Sequence, residues 1–444
     1  MSESSRRPRL SLPIAAPLIA FATVVALAGC GSLAAPASTM MSVDASSSAS
    51  ATSATSSADA TSALWDTSAV HTVAITVDAD ALSAMISDYL STGDKAWLTA
   101  SVTIDGVTYD NVGIKLKGNS TLKGVTTSSD PAMLPWRIRL DKFVDGQNAD
   151  GVSDFTVRAN SSATSLNEAA ALDGLTTVGL ASEKAAATRF SVNGGGEVLR
   201  LSIQALDDAW VSENFPDAGD GSVLYKATAD GSWDWLGADA DYSDSFDIEA
   251  GADDEAPLIA LLDLVNNGTA DEIAQKLPTM LDVDAFATYL AFEDVIDNFD
   301  DISGPGNNAY LFWDSATQKF MVVAWDHNLA FGVQNTGGGA GGGGGAPGGG
   351  APGAGQRGGG VGAGAGGGGA MSRDNPLVAA FEANSAWAQA IADQKTALEQ
   401  SLVSSGALAS SVERWAALLN AQAGDLVEPA TVASEATAVL AAVQ

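Results

Sequence analysis

Apolar and polar residues alternate over much of the first third of the chain, the period of strands that bury one face. Val73, Ile75 and Val77 form one such set. Val102 and Ile104 form another, with Asp105-Gly106 as a two-residue hairpin turn before Val107 and Tyr109. Val112, Ile114 and Leu116 carry Lys115 and Lys117 on the opposite face, and Trp136, Ile138 and Leu140 carry Arg137 and Arg139 opposite. Two neighbouring strands of this kind present a basic face. Leu166 to Leu180 then reads as a helix, and Arg189 to Val192 and Val198 to Ile203 as strands about a turn at Gly194 to Gly196. Leu258 to Val265 and Val283 to Ile296 have the spacing of buried helices, and Tyr310 to Phe312 with Phe320 to Ala324 predict a hairpin turned at Asp314 to Gln318. Asn375-Pro376 opens a helical stretch with an apolar face from Leu377 to Leu402 through Phe381, Trp387, Ile391 and Leu398; Leu408 to Asn420 follows with Trp415 and Leu419 inward. The fold class is α+β, with an N-terminal β-rich part and a C-terminal helical part.

Two segments lack any such pattern. Arg6, Arg7 and Arg9 precede an apolar run from Leu10 to Gly29, the order of an export signal, with an uncleaved membrane anchor as the alternative. The run ends in Leu27-Ala28-Gly29-Cys30, which resembles a bacterial lipobox. That resemblance implies lipidation of Cys30, cleavage before it, and a protein exported and lipid-anchored on the outer face of the cytoplasmic membrane, since two or more acyl chains hold stably where one does not. Residues 1–29 are thus expected to be a lipoprotein signal peptide and 30–63 a Ser/Ala/Thr-rich tether, with folded parts at 64–336 and 371–444. Between these parts, 337–370 is a glycine-rich insertion whose composition builds no core and which is expected to be disordered.

Charge narrows the function. Lys and Arg number 21 against 54 Asp and Glu, a formal net charge of -33, which disfavours nucleic acid as a partner. One cysteine and two histidines exclude an internal disulfide and a thiolate- or histidine-rich metal site, leaving oxygen ligands for Mg or Ca. Such oxygens cluster in Asn298-Phe299-Asp300-Asp301, in Gly304 to Asn308, and in Trp325-Asp326-His327-Asn328, around the last hairpin. A solvated acidic turn fits these residues equally well in so acidic a chain. Lys115 to Ser120, a strand running into a glycine turn, suits the approach of an anion.

Taken in order, seven markers resemble the CotH kinase family, atypical protein kinases named after a spore-coat protein. They are Lys115 to Ser120, Arg137 to Asp141, Asn193-Gly194, Leu224-Tyr225-Lys226, Asn298-Phe299-Asp300, Asn307 to Tyr310 and Trp325-Asp326. The likeness covers roughly His71 to Val333, and more loosely Pro376 to Asn420. It implies a divergent protein-kinase-like fold, ATP with Mg or Mn, and phosphoryl transfer to protein hydroxyls. On that resemblance Asp300 is the base, with Asp301 in competition; Asp326 is the metal ligand, supported by Asn308 and Asn328. Lys117, Arg137 and Lys226 take the phosphates, and His327 is a structural neighbour. Gln204 stands where an acidic residue is frequent, so a lysine-to-glutamate pair positioning the phosphates is expected to be missing. Asn328 likewise replaces a frequent Asp. A protein kinase acting on an unknown protein substrate at the cell surface is the leading function. Its rivals are a kinase-like surface binding or adhesion module with weak or no catalysis, and a metal-dependent carboxylate hydrolase.

Overall fold

The computed structural model describes residues 63–229, 231–333 and 375–444. Of the two units into which the chain divides, Met1–Ser57 lies outside these residues and Ala58–Gln444 holds every element below. Cys30, the export segment, nearly all of the 30–63 tether and the 337–370 insertion fall outside the described residues. Among the described residues no helix is long and apolar enough to cross a membrane.

Seven strands close into a barrel: β1 (His71–Thr76), β2 (Leu98–Ile104), β3 (Val107–Leu116), β4 (Trp136–Arg139), β5 (Asp154–Val157), β6 (Ala185–Val192) and β7 (Val198–Gln204), in the order β1-β2-β3-β4-β5-β7-β6. Every pairing is antiparallel except β1 with β6, which runs parallel and closes the cylinder, so no strand edge is left unpaired. The β2–β3 turn takes positive φ at both Asp105 and Gly106, as the sequence leads one to expect. Period-2 alternation sends Val73, Ile114, Leu116, Trp136, Ile138 and Phe155 into one core, each without solvent exposure. Their neighbours Lys115, Arg137 and Arg139 point outward, and the register places Lys115 opposite Arg137. The basic face read from the sequence is therefore the outer surface of β3 and β4. What strand-by-strand reading did not deliver is the closure itself, the short β5, and the helix α1 (Ala79–Thr92), which is capped by Asp78 and buries Leu82, Met85 and Ile86 in the barrel core.

The remaining elements form the second core. They are α2 (Leu166–Thr177), α3 (Asp208–Asn214), β8 (Val223–Ala227), β9 (Phe246–Gly251), α4 (Ala256–Asn267), α5 (Ala270–Met280), α6 (Val283–Val295), β10 (Ala309–Asp314), β11 (Lys319–Ala324), α7 (Pro376–Glu382), α8 (Ser385–Leu398), α9 (Ala407–Gln422) and α10 (Pro429–Ala442). A four-stranded sheet runs β11-β10-β8-β9. Residues 376–402, read as one continuous face, break between α7 and α8, where the Asn384 side chain accepts from the amides of Ala386 and Trp387 and starts a new helix.

Helix α2 and the end of the chain are tied together. Asp173 of α2 accepts from Trp415 Nε1 at 2.9 Å and from Arg414. Glu435 of α10 accepts from the amides of Ala163 (2.8 Å) and Thr164 (3.0 Å) and from the Thr164 hydroxyl, holding the loop that leads into α2.

Candidate functional site

The outer face of the barrel meets the β10–β11 hairpin, and cations from both halves converge there. Lys117 follows β3, where its amide bonds the Pro135 carbonyl at 3.1 Å. The next residue, Gly118, has φ +92, and a Cβ there would meet Thr121 Oγ1 at 2.1 Å, so this turn admits only glycine. The Lys117 ammonium lies 4.8 Å from the Trp325 ring centre, and the Arg158 guanidinium 5.6 Å from it. Lys226 of β8 stands opposite Tyr310 of β10, its ammonium 5.1 Å from that ring. Burial, with Arg158 and Lys226 nearby, pushes Lys117 down to about 7; burial lowers Lys226 as well. Arg137 is committed differently, to Asp154 through Nε and Nη2 (2.8 Å), with Glu249 of β9 at 3.9 Å.

Two loops carry the carboxylates. The first follows α6 and the second follows β11. Glu293, buried on α6, joins them: one oxygen accepts from Asn298 Nδ2 at 2.8 Å and the other meets His327 Nε2 at 3.0 Å. Asn298 Oδ1 in turn accepts from the Asp300 amide. Asp326, in the left-handed region at φ +65, lies 2.8 Å from Arg158 Nη2. Burial would raise its carboxyl, but Arg158, Lys117 and Lys226 outweigh burial and hold it below the usual range. Burial and then the charge of Asp326 push Asp300 up to about 6, against a hydrogen bond from Asn308. His327 is fully buried; the neighbouring carboxylates, Glu293 foremost, overcome burial and raise it to about 9.

Lys117, Lys226, Asp300, Asn308 and Asp326 thus come together, while Arg137 sits at the edge in its own ion pair. Asp301, the competitor of Asp300, shapes the loop: its Oδ1 accepts from the amides of Ser303 and Gly304, both at 2.9 Å. Asn328 meets its surroundings through its backbone carbonyl, which accepts from Asn167 Nδ2 at 2.7 Å. Gln204 lies elsewhere, at the end of β7, donating to Glu213 and accepting from the Lys184 amide. A different cation–carboxylate pair is present: Arg158 Nε bonds Glu168 Oε1 of α2 at 2.9 Å.

Arg158, Glu168, Asn167 and Glu293 escaped the sequence reading. Each carried a signal. Arg158 continues the alternation of Phe155 and Val157 on the opposite face, Glu168 directly precedes the apolar run Ala169 to Leu172, and Glu293 directly follows the apolar run Leu290 to Phe292, where burial demands a partner.

Among the described residues no three His, Cys, Asp or Glu side chains converge as a metal cluster. The donors present nonetheless fit Mg, which takes one or two carboxylates and completes its shell with substrate phosphates and water. Asp326 and Asp300 repel each other, Asp326 Oδ1 is buried without a hydrogen bond of good geometry, and Asn308 adds an amide. Comparison with known proteins is consistent with this chemistry. A family model described as CotH kinase protein matches residues 114–428, about seven-tenths of the chain, beginning inside β3 and ending just before α10. No curated protein matches the chain.

Proposed function

The chain belongs to the CotH kinase family, and on that premise we propose that it is an ATP- and divalent-metal-dependent protein kinase with a divergent kinase-like fold. The observation that carries the reading is the meeting of Lys117, Arg158 and Lys226 with Asp300 and Asp326 between the barrel and the helical half. Family membership implies ATP and a divalent ion in general; the residues suggest how this chain would use them. Lys117, Lys226 and Arg158 bind and orient the phosphates. Asp326, with Asn308, would hold the ion, which neutralises phosphate charge when bound. Asp300 accepts the proton of the acceptor hydroxyl, and a carboxyl near 6 is well matched to that task at neutral pH. The Arg158–Glu168 pair corresponds in kind to the strand-cation and helix-glutamate pair that kinases use to position phosphates. With Cys30 read as a lipidation site, the protein substrate is one met outside the cytoplasm.

Calorimetric titration of the protein with ATP and Mg or Mn tests this. Saturable binding that is lost in Asp326→Ala, together with label transfer to a protein hydroxyl that is lost in Asp300→Asn, is the expected result. Absence of binding under either metal refutes it. The engagement of Asp326 by Arg158 favours a second reading, a kinase-like binding module without turnover; nucleotide binding without label transfer selects that one.

A further inference from the structure

Beside the nucleotide site, on the same outer face of β3, stands a second group of cations. Gly113, Lys115 and Lys117 follow one side of the strand in turn. A Cβ at Gly113 would lie 2.5 Å from Lys142 Cβ and 3.0 Å from Trp97 Cε3, so the missing side chain lets the loop after β4 and the segment before β2 lie against the strand. Two ammonium groups then converge on one indole: Lys115 lies 4.8 Å and Lys142 5.1 Å from the Trp97 ring centre.

Neither lysine has a carboxylate at ion-pair distance among the described residues, whereas the flanking Arg137 and Arg139 are tied to Asp154 and Asp141. Glu249, whose charge also reaches Lys115, stands 3.9 Å from Arg137. Burial, then the charge of Arg137, lowers the Lys115 ammonium, and Lys142 acts in the same sense. An anion between the two lysines would relieve that repulsion. A phosphate, with up to about two negative charges and three strong acceptor oxygens, matches such a pair of donors. An anionic membrane does not: it meets the field of a chain of net charge -33, and Lys115 and Trp97 are half-buried rather than protruding.

We propose that Lys115, Lys142 and Trp97 form a docking site for a phosphorylated side chain of the protein acceptor, so that a segment already carrying phosphate is the preferred substrate. Lys115 is two residues from Lys117, about 7 Å along the strand, which places the docked phosphate beside the nucleotide site. The use of this site in turnover rests on the kinase reading; its binding step does not.

The probes are serine–alanine peptides of one sequence that carry phosphoserine, glutamate or serine at the same central position, titrated into the full chain by calorimetry without ATP or metal. The phosphopeptide should bind about tenfold or more tighter than the serine peptide, a difference that two charge-assisted hydrogen bonds can supply, with the glutamate peptide between them. The double change Lys115→Gln with Lys142→Gln should bring all three to within about twofold. Lys142→Glu, a change at an exposed position, should do the same. Excess ATP should leave the phosphopeptide bound, and phosphatidylserine vesicles should not bind. A phosphopeptide that binds no better than the serine or glutamate peptide, that ATP displaces, or that both variants bind unchanged overturns the proposal; so does capture of the vesicles that Lys142→Glu abolishes. Loss of label transfer alone would refute the kinase reading and leave this site standing, whereas label transfer without any phosphopeptide preference would refute only the site.

Discussion

On the front of the Trp325–Asn328 loop, Asp326 meets Lys117, Arg158 and Lys226, and cations outnumber carboxylates even when Asp300 is counted. On its rear, His327 is enclosed by Glu293, Glu183 and Glu168, and carboxylates predominate. The front is recessed but partly open, and two of its cations rest on aromatic rings without a carboxylate at ion-pair distance among the described residues. The rear is sealed, and most of its charges are locked in pairs. The two lysines of the first kind have no carboxylate fixed to them among the described residues, whereas charges of the second kind hold the loop. Arg158 alone serves both sides, bonding Glu168 behind and Asp326 in front.

The largest expected effect separates two adjacent carboxylates. Asp300→Asn should lower label transfer by about 10²–10⁴-fold, the usual contribution of a general base, with little change in thermal midpoint. Asp301→Ala should instead cost about 1–3 kcal/mol of stability by removing the carboxylate acceptor that two loop amides share. A reversed outcome would exchange the two roles.

Cations divide in the same way. Arg158→Met leaves Glu168 and Asp326 without their counter-charge and should cost about 3–5 kcal/mol in urea unfolding. Lys226→Met removes a charge whose hydrogen bond among the described residues is to the Ala227 carbonyl and should weaken nucleotide binding with no comparable loss of stability. Equal stability losses in both variants would break the distinction between front and rear.

Protonation of Lys117 sharpens it further. With this ammonium pushed down to about 7, the unfolded chain holds a proton that the folded chain lacks between pH 7 and the ordinary lysine range. Its contribution to stability therefore rises with pH across that window. Affinity for phosphates should run the other way, falling as pH rises above about 7, because only the charged form attracts them. Lys117→Met should flatten both dependences, measured by urea unfolding and ATP titration across pH.

The smallest effect lies farthest from the loop. Glu435→Ala should cost about 1 kcal/mol and speed hydrogen exchange at the Ala163 and Thr164 amides, since each loses its acceptor. Unchanged exchange there would detach α10, which lies beyond the matched family region, from the positioning of α2.

Local pattern was a good guide to elements and a poor one to partners. Alternation around Ile114 and Ile138 placed Lys115 and Arg137 on a shared outer face because a strand's period is two and the barrel buries one face only. The same alternation could not say that Arg137 would be tied to Asp154 while Lys117 stayed without an ion pair among the described residues, because that depends on which strand lies beside it. Nor could local pattern give the surroundings of Gln204, which at the end of β7 bonds the Lys184 amide and Glu213.

By itself the sequence determined the strands, most of the helices and the basic strand faces, and it marked the oxygen-rich loops that hold Asp300 and Asp326, because periodicity and side-chain chemistry are local properties. Tertiary structure alone decided that the strands close into a barrel, that Asp300 comes near Asp326, that Arg158 and Glu168 form the buried pair, and that Glu183 is buried near His327. Those outcomes depend on desolvation and on which charges meet across long stretches of chain, and burial sets the strength of every such meeting.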